Sequence, residues 1–278
     1  MTSRFHFCEF GRLPPWLALS GLGLMTACTS VVTVPPAASP DMAWVAASPA
    51  AGSSTKWQHR TFLGKKSSLY HATRLDGRHV IQTESSSAAS MMRQSLRAEP
   101  ADLGKLRFSW KVPALITGAD LSERDADDSP VRVVLAFEGD RSKFSAKNAL
   151  LSELSLALTG EALPYATLMY VWENHREPGS VIINPRTDRI RKLVLESGPQ
   201  QLGRWLDYER DIRADYEKAF GEAPGALVGI GIMTDTDNTR QQTTAWYGPV
   251  TLLAGAADLT AGSASVAASA RSSLKPRQ

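Results

Sequence analysis

Three oxygen-bearing side chains, Asp235, Asp237 and Asn238, crowd into the stretch MTDTDNT, residues 233–239, directly after the apolar run ALVGIGI. A loop leaving a strand can fold several oxygens about one point, and hard cations such as calcium take oxygen ligands of this kind. Calcium is therefore the cofactor expected at these residues. A solvated polar turn is the competing reading, because Asp and Asn stabilise turns without binding anything. The EF-hand arrangement is excluded: counted from Asp235, the sixth position is Arg240 where glycine is required, and the twelfth is Trp246 where glutamate is required. A second acidic run, ERDADDSP, holds Glu123, Asp125, Asp127 and Asp128 just ahead of another apolar stretch.

The aromatics suggest a second chemistry. Exposed Trp and Tyr rings stack on the apolar faces of sugars and keep a polar handle at their edge. Trp246 and Tyr247 are adjacent, so on a strand they point to opposite faces and at least one is a candidate for the surface. With Arg132 and Asn174 as polar partners, they form the candidate ligand-binding set. Trp110 and Trp172 share strand faces with Leu and Phe and are expected in the core. Glu138, Glu173, Glu196 and Asp235 could supply the paired carboxylates of a glycosidase, but that chemistry depends on a spacing only the fold can set.

Other signatures fail. GKKSS at Gly64 resembles the end of a phosphate-binding loop, but the position five residues earlier is His59, and Lys66 stands where Ser or Thr is needed. His59, His71, His79 and His175 lack zinc spacing, and no GxSxG elbow occurs. A net charge of +3, with acids and bases interspersed, does not point to nucleic acid.

The elements that must position these residues lie between two segments of different composition. Arg4 and Arg12 precede the short apolar run WLALSGLGLMTA, which ends at Cys28. This reads as a signal peptide over 1–27 with a bacterial lipobox, so Cys28 is the expected lipidation site and a lipid on it the membrane anchor. Cys8 lies inside the peptide, so the mature chain would have no disulfide. Residues 28–55, rich in Pro, Ala and Ser, read as a flexible tether, and 255–278 as a disordered tail. Thr29 after Cys28 favours the outer membrane, facing the periplasm.

Residues 56–254 read as one domain built mainly of strands. LRFSWKV sets Leu106, Phe108, Trp110 and Val112 on one face, and VRVVLAF does the same with Val131, Val133, Leu135 and Phe137. ATLMYVWE is apolar on both faces, as a central strand is. KWQHRTF, SSLYHATRL, HVIQTES, RKLVLES, ALVGIGIM and TAWYGPVTLL are further strands, with Asp76-Gly77 as a hairpin turn. Helices are predicted near 145–159, stopped by Gly160, and after a cap at Asp211, stopped by Gly221. Many strands and two helices predict a two-sheet β-sandwich of jelly-roll character. Gly229 and Gly231 share one face of their strand, which lets a ligand, a helix or an aromatic ring approach the backbone there. Of these, a packed helix is expected.

The ordered series WKV at Trp110, DD before VRVVLAF, YVW at Tyr170, NP through Arg189, SG at Ser197, DYERDI at Asp207, AFG at Ala219 and MTDTDN before AWYG resembles a bacterial family, domain of unknown function 3047. The resemblance spans most of residues 57–253 and implies an exported β-sandwich with no established activity. The resulting expectation is an envelope lipoprotein whose sandwich binds a ligand, a glycan first among them. The rivals are a glycan-active enzyme and an assembly partner of envelope proteins that docks through the Trp246 and Tyr247 edge.

Overall fold

The computed structural model describes residues 57–253. Cys28, the signal peptide, the tether and the C-terminal tail lie outside the described residues.

The elements follow in the order β1 (Gln58–Thr61), β2 (Leu69–Leu75), β3 (Arg78–Ser86), β4 (Ala89–Ala98), β5 (Lys105–Lys111), β6 (Ser129–Phe137), α1 (Ala146–Thr159), β7 (Ala166–Glu173), β8 (Val181–Ile183), β9 (Ile190–Ser197), β10 (Trp205–Asp211), α2 (Ile212–Phe220), β11 (Leu227–Asp235), β12 (Gln242–Tyr247) and β13 (Thr251–Leu252). They form a seven-stranded sheet in the order β1-β4-β11-β6-β7-β9-β8 and a second sheet in the order β10-β5-β12-β3-β2, with β13 added beside β5. From β3 to β6, and again from β9 to β12, the chain changes sheet at every strand. This wrapping makes a β-sandwich of jelly-roll character.

The period-two patterns set the core. Val131, Val133, Leu135 and Phe137 of β6 and Leu168, Tyr170 and Trp172 of β7 face Leu106, Phe108 and Trp110 of β5, all of them buried. Phe108 stacks on Tyr170 at 5.5 Å between centroids and so joins the two sheets. The helix α2 starts at Asp211, whose side chain accepts from the Ala214 N–H, and ends at Gly221 in the left-handed region. It buries Ile212, Tyr216 and Ala219, with Tyr216 edge-on to Phe137 at 4.7 Å. In α1, also capped as the sequence predicts, Asn148 and Ser152 are the buried residues while Leu150, Leu154, Leu156 and Leu158 face solvent. Among the described residues no helix is long and apolar enough to cross a membrane.

Three strands escape the pattern rules, among them β8, which is three residues long. β4 sends Ser90 and Gln94 inward along with Met92, so its buried face does not read as apolar. The strand β10, WLDYERD, turns Asp207 and Glu209 outward, and its inward Arg210 is neutralised by Asp215 at 2.5 Å.

Candidate functional site

The stretch MTDTDNT keeps the strand alternation as far as Thr236, before the chain turns at residues 237–240. Thr234 and Thr236 point into the sandwich, where their hydroxyls meet those of Thr83 at 2.8 Å and Ser85 at 2.9 Å and seam the two sheets together. Asp235 and Asp237 point the other way, toward the acidic run before β6. There a buried ionic cluster forms. Arg132, 2% exposed, donates through Nε to Asp235 Oδ1 at 2.9 Å and through Nη2 to Asp127 Oδ1 at 3.0 Å. Lys192, fully buried on β9, reaches Asp127 Oδ2 and the Leu121 carbonyl, each at 2.6 Å. Asp128 accepts at one oxygen from the Asn238 N–H and amide, and at the other from the Thr239 N–H and hydroxyl. Lys65 pairs with Asp237 from the rim.

Electrostatics follow from burial. Loss of water pushes the Asp235 carboxyl up to about 7, with Asp127 and Asp128 adding repulsion and Arg132 opposing. Burial, with Arg132 nearby, brings the Lys192 ammonium down to about 8 against the pull of Asp127. Burial would raise Asp127, but Arg132 and Lys192 outweigh it and hold the carboxyl below its usual range. Asp128, Asp235 and Asp237 each place one carboxylate oxygen within 4.8 Å of the others, the kind of donor set a hard cation takes. Asn238, expected as a third ligand, instead turns its amide N–H toward Asp127 and Asp128.

Three of the residues expected to contact a ligand are engaged inside the protein, two of them, Arg132 and Tyr247, buried. Arg132 is committed to the cluster. Tyr247 has no exposed surface, and its hydroxyl donates to the Met233 carbonyl at 2.6 Å and accepts from the Arg132 N–H at 3.1 Å. Asn174 donates to the carbonyls of Ile116 and Ala119 at 2.8 and 3.0 Å, bracing the segment ahead of the acidic run. Tyr247 and Asn174 satisfy buried backbone groups, as polar side chains beside buried backbone do, and Arg132 satisfies buried carboxylates. The carboxylates weighed for glycoside cleavage are likewise engaged, Glu173 with the Arg176 N–H, Glu196 with the Tyr208 hydroxyl at 2.7 Å and Glu138 with Arg97 at 2.9 Å.

Trp246, like Asn174, is partly exposed, and the sheet register gives it company. Across the outer face of the second sheet, Trp205 of β10, Lys111 of β5, Trp246 of β12, Gln82 of β3 and His71 of β2 stand opposite one another in a single row. All are partly exposed, while the next row inward, Trp110, Tyr247 and Ile81, is buried. Both indole N–H groups are tied down. Trp205 Nε1 donates to Asp76 Oδ2 at 3.0 Å, which also accepts from Lys111 Nζ at 2.8 Å, and Trp246 Nε1 donates to Gln82 Oε1 at 3.2 Å. Lys111 and Trp205, both donating to Asp76, hold its exposed carboxyl below the usual range. Arg78 lies over the Trp205 ring at 5.0 Å and pairs with Asp207 through both its terminal nitrogens. The two tryptophans flank β5, so their backbones lie about 10 Å apart. The structure thus offers two ring platforms, fixed in orientation, with charged and amide groups at their edges. Trp205 and Lys111 were missed as partners of Trp246 because they are far from it in sequence; only the pairing of both strands with β5 unites them.

Fold and surface together define a two-sheet β-sandwich domain carrying an exposed aromatic row. The chain belongs to the family described as "Protein of unknown function (DUF3047)", which matches residues 55–251. No curated protein matches it. Among solved structures it is similar to the xyloglucanase domain of NopAA, a type three effector from Sinorhizobium fredii, in complex with cellobiose, at 9% identity and a TM-score of 0.36, covering 72% of this chain and 93% of that one. It is also similar to Trichoderma harzianum Endoglucanase 3 from family GH12, at 8% identity and a TM-score of 0.36, covering 72% of this chain and 98% of that one.

Proposed function

We propose that this domain binds an extended carbohydrate on the outer face of its second sheet, with Trp205 and Trp246 as stacking platforms, and that it does so without cleaving it. The observation that carries this reading is the row itself: two half-exposed indoles at one register, each held by a hydrogen bond through its N–H. Rings held in this way lose little freedom when a ligand settles on them, which is where affinity for flat, weakly hydrated sugar faces is gained. Asp76, Arg78, Asp207 and Gln82 stand beside the rings as partners for hydroxyl groups. The signal-peptide pattern ending at Cys28 supports a lipid anchor in the bacterial envelope, which would present the row to envelope or surrounding glycans. The mass of the processed N-terminus tests that anchor.

The test of binding is calorimetry of the domain with β-1,4-linked oligosaccharides of glucose, xylose and N-acetylglucosamine. Binding by the wild type that weakens at least tenfold in both Trp205→Ala and Trp246→Ala supports the reading; no binding to any of the three, or binding indifferent to both variants, sinks it. Products released from the same oligosaccharides would replace it with an enzymatic one.

For the acidic cluster we propose a subsidiary role as a calcium site at Asp128, Asp235 and Asp237. Above about pH 7, where Asp235 is ionised, four carboxylates, Asp127, Asp128, Asp235 and Asp237, face three protein cations, Arg132, Lys192 and Lys65, and this imbalance supports it. A ligand that binds only the folded state raises the unfolding midpoint. Calcium should therefore raise it in the wild type and not in Asp237→Ala; equal midpoints with calcium and with chelator would leave the cluster as an ion-pair network alone.

A further inference from the structure

The opposite face of the molecule carries a different device. On the outer side of the seven-stranded sheet, Arg93 and Met91 of β4 stand beside Gly231 and Met233 of β11, and Arg60 of β1 pairs with Met91. The expected approach of a helix to Gly229 and Gly231 does not occur. What approaches is Arg93: a Cβ added at Gly229 would sit 3.2 Å from its Nε, and one at Gly231 would sit 3.4 Å from the Met91 sulfur. Gly229 leaves room for the Arg93 guanidinium and Gly231 for the Met91 thioether. Next to it, Arg60 Nη2 and Arg93 Nη1 share one carboxylate, Glu161, at 2.7 and 2.9 Å. Neither Nε of the two arginines has an acceptor among the described residues, although both atoms are buried. Glu161 follows Gly160, which has a φ of 75° and ends α1, so it is carried on a chain segment attached through a left-handed residue.

Two guanidiniums against one carboxylate leave one positive charge and two unused donors on a surface of apolar floor. From this we infer that Arg60 and Arg93 form a binding site for an oxyanion, a phosphate or a carboxylate, and that Glu161 occupies it as a built-in competitor. Planar guanidinium forks recognise such groups through paired N–H donors. An entering oxyanion would take over the Nη contacts of Glu161 and reach the Nε donors once the glutamate swings aside. This site lies on the other sheet from the aromatic row, so the two readings stand or fall separately.

The test is a nuclear magnetic resonance titration of the arginine Nε–H signals with inorganic phosphate, and in a second arm with trigalacturonate, at constant ionic strength. The signals of Arg60 and Arg93 should move and saturate together in the wild type. Glu161→Gln removes a competing, partly exposed charge and should tighten binding by about three- to fivefold. Arg93→Lys keeps the charge but loses the fork, and should abolish the saturable shift at Arg60. A response to phosphate alone would identify a phosphate site, and a response to trigalacturonate alone a carboxylate site; either upholds the inference. It is overturned if neither anion moves these signals in wild type and Glu161→Gln, or if Arg93→Lys binds as the wild type does. Trp246→Ala serves as the control, since loss of sugar binding there should leave the phosphate titration unchanged.

Discussion

The two polar assemblies of this domain differ in how far they are enclosed. The cluster beneath MTDTDNT joins two short acidic runs, at 127–128 and 235–237, to Arg132, Lys192 and Lys65 from elsewhere in the chain, and nearly every oxygen and nitrogen in it is satisfied by a neighbour inside the protein. The row of Trp205, Lys111 and Trp246 takes one residue from each of three strands and keeps its ring surfaces partly open. Local crowding of polar residues marks a place where the chain must solve its own burial problem. A recognition surface is assembled from residues that only the register brings together.

If that division holds, removing Arg132 should damage the fold and leave sugar binding alone. Arg132→Met strands Asp127 and Asp235 without the guanidinium they share. Breaking a buried pair by deleting one partner costs about 3–5 kcal/mol. Urea denaturation should show a loss of that size, while the folded fraction should keep the wild-type oligosaccharide affinity. A loss under about 1 kcal/mol would mean that water reaches the cluster, placing it with the exposed ion pairs.

Acidity probes the same cluster more gently. Burial holds the folded Asp235 carboxyl near 7, above the ordinary unfolded value of about 3.9. Between those two values the folded state keeps a proton that the unfolded state has released. The stability contributed by this group is therefore fully present below about pH 4 and is lost as pH rises toward 7, with a slope of at most about 1.4 kcal/mol per pH unit. Denaturation midpoints of Asp235→Asn, which cannot titrate there, should lose that part of the slope. A wild type and variant with parallel profiles would show that Asp235 is ionised throughout and that Arg132 outweighs its burial.

Much of the fold is legible in the sequence because side-chain period follows burial. The alternation in β5 and β6, the caps at Asp211, Gly160 and Gly221, and the Asp76-Gly77 turn, where both residues have positive φ, all express local physics. The strand β4 was hidden because Ser90 and Gln94 occupy inward positions; the Ser90 hydroxyl accepts from the Ser68 N–H at 3.0 Å and donates to the Ser68 carbonyl at 3.3 Å. Asp235 and Asp237 were conspicuous in sequence, yet their partners Asp127, Lys192 and Lys65 are distant in the chain, so the charge balance could not be read. Tyr247 beside Trp246 posed a choice between two faces. The pairing of Tyr247 with Trp110 and of Trp246 with Lys111 decides it.

On the exposed side, the larger effect belongs to the rings. Trp205→Ala should lower oligosaccharide affinity by about tenfold or more, in the manner of an interface anchor, while changing stability by less than about 1 kcal/mol. The smallest change asks whether the rings must be held still. Asp76 has a φ of 51°, a conformation that asparagine adopts nearly as readily, so Asp76→Asn keeps the turn and removes only the charge that draws in Lys111 and Trp205. Because this carboxylate is exposed, the expected loss of affinity is about twofold, with no movement of the unfolding midpoint. Dissociation should account for it, since a loosened ring releases its ligand sooner but meets it as often. A slower association with unchanged dissociation would instead assign Asp76 and Lys111 to steering the ligand, and the hydrogen bond to Trp205 would lose its role in fixing the platform.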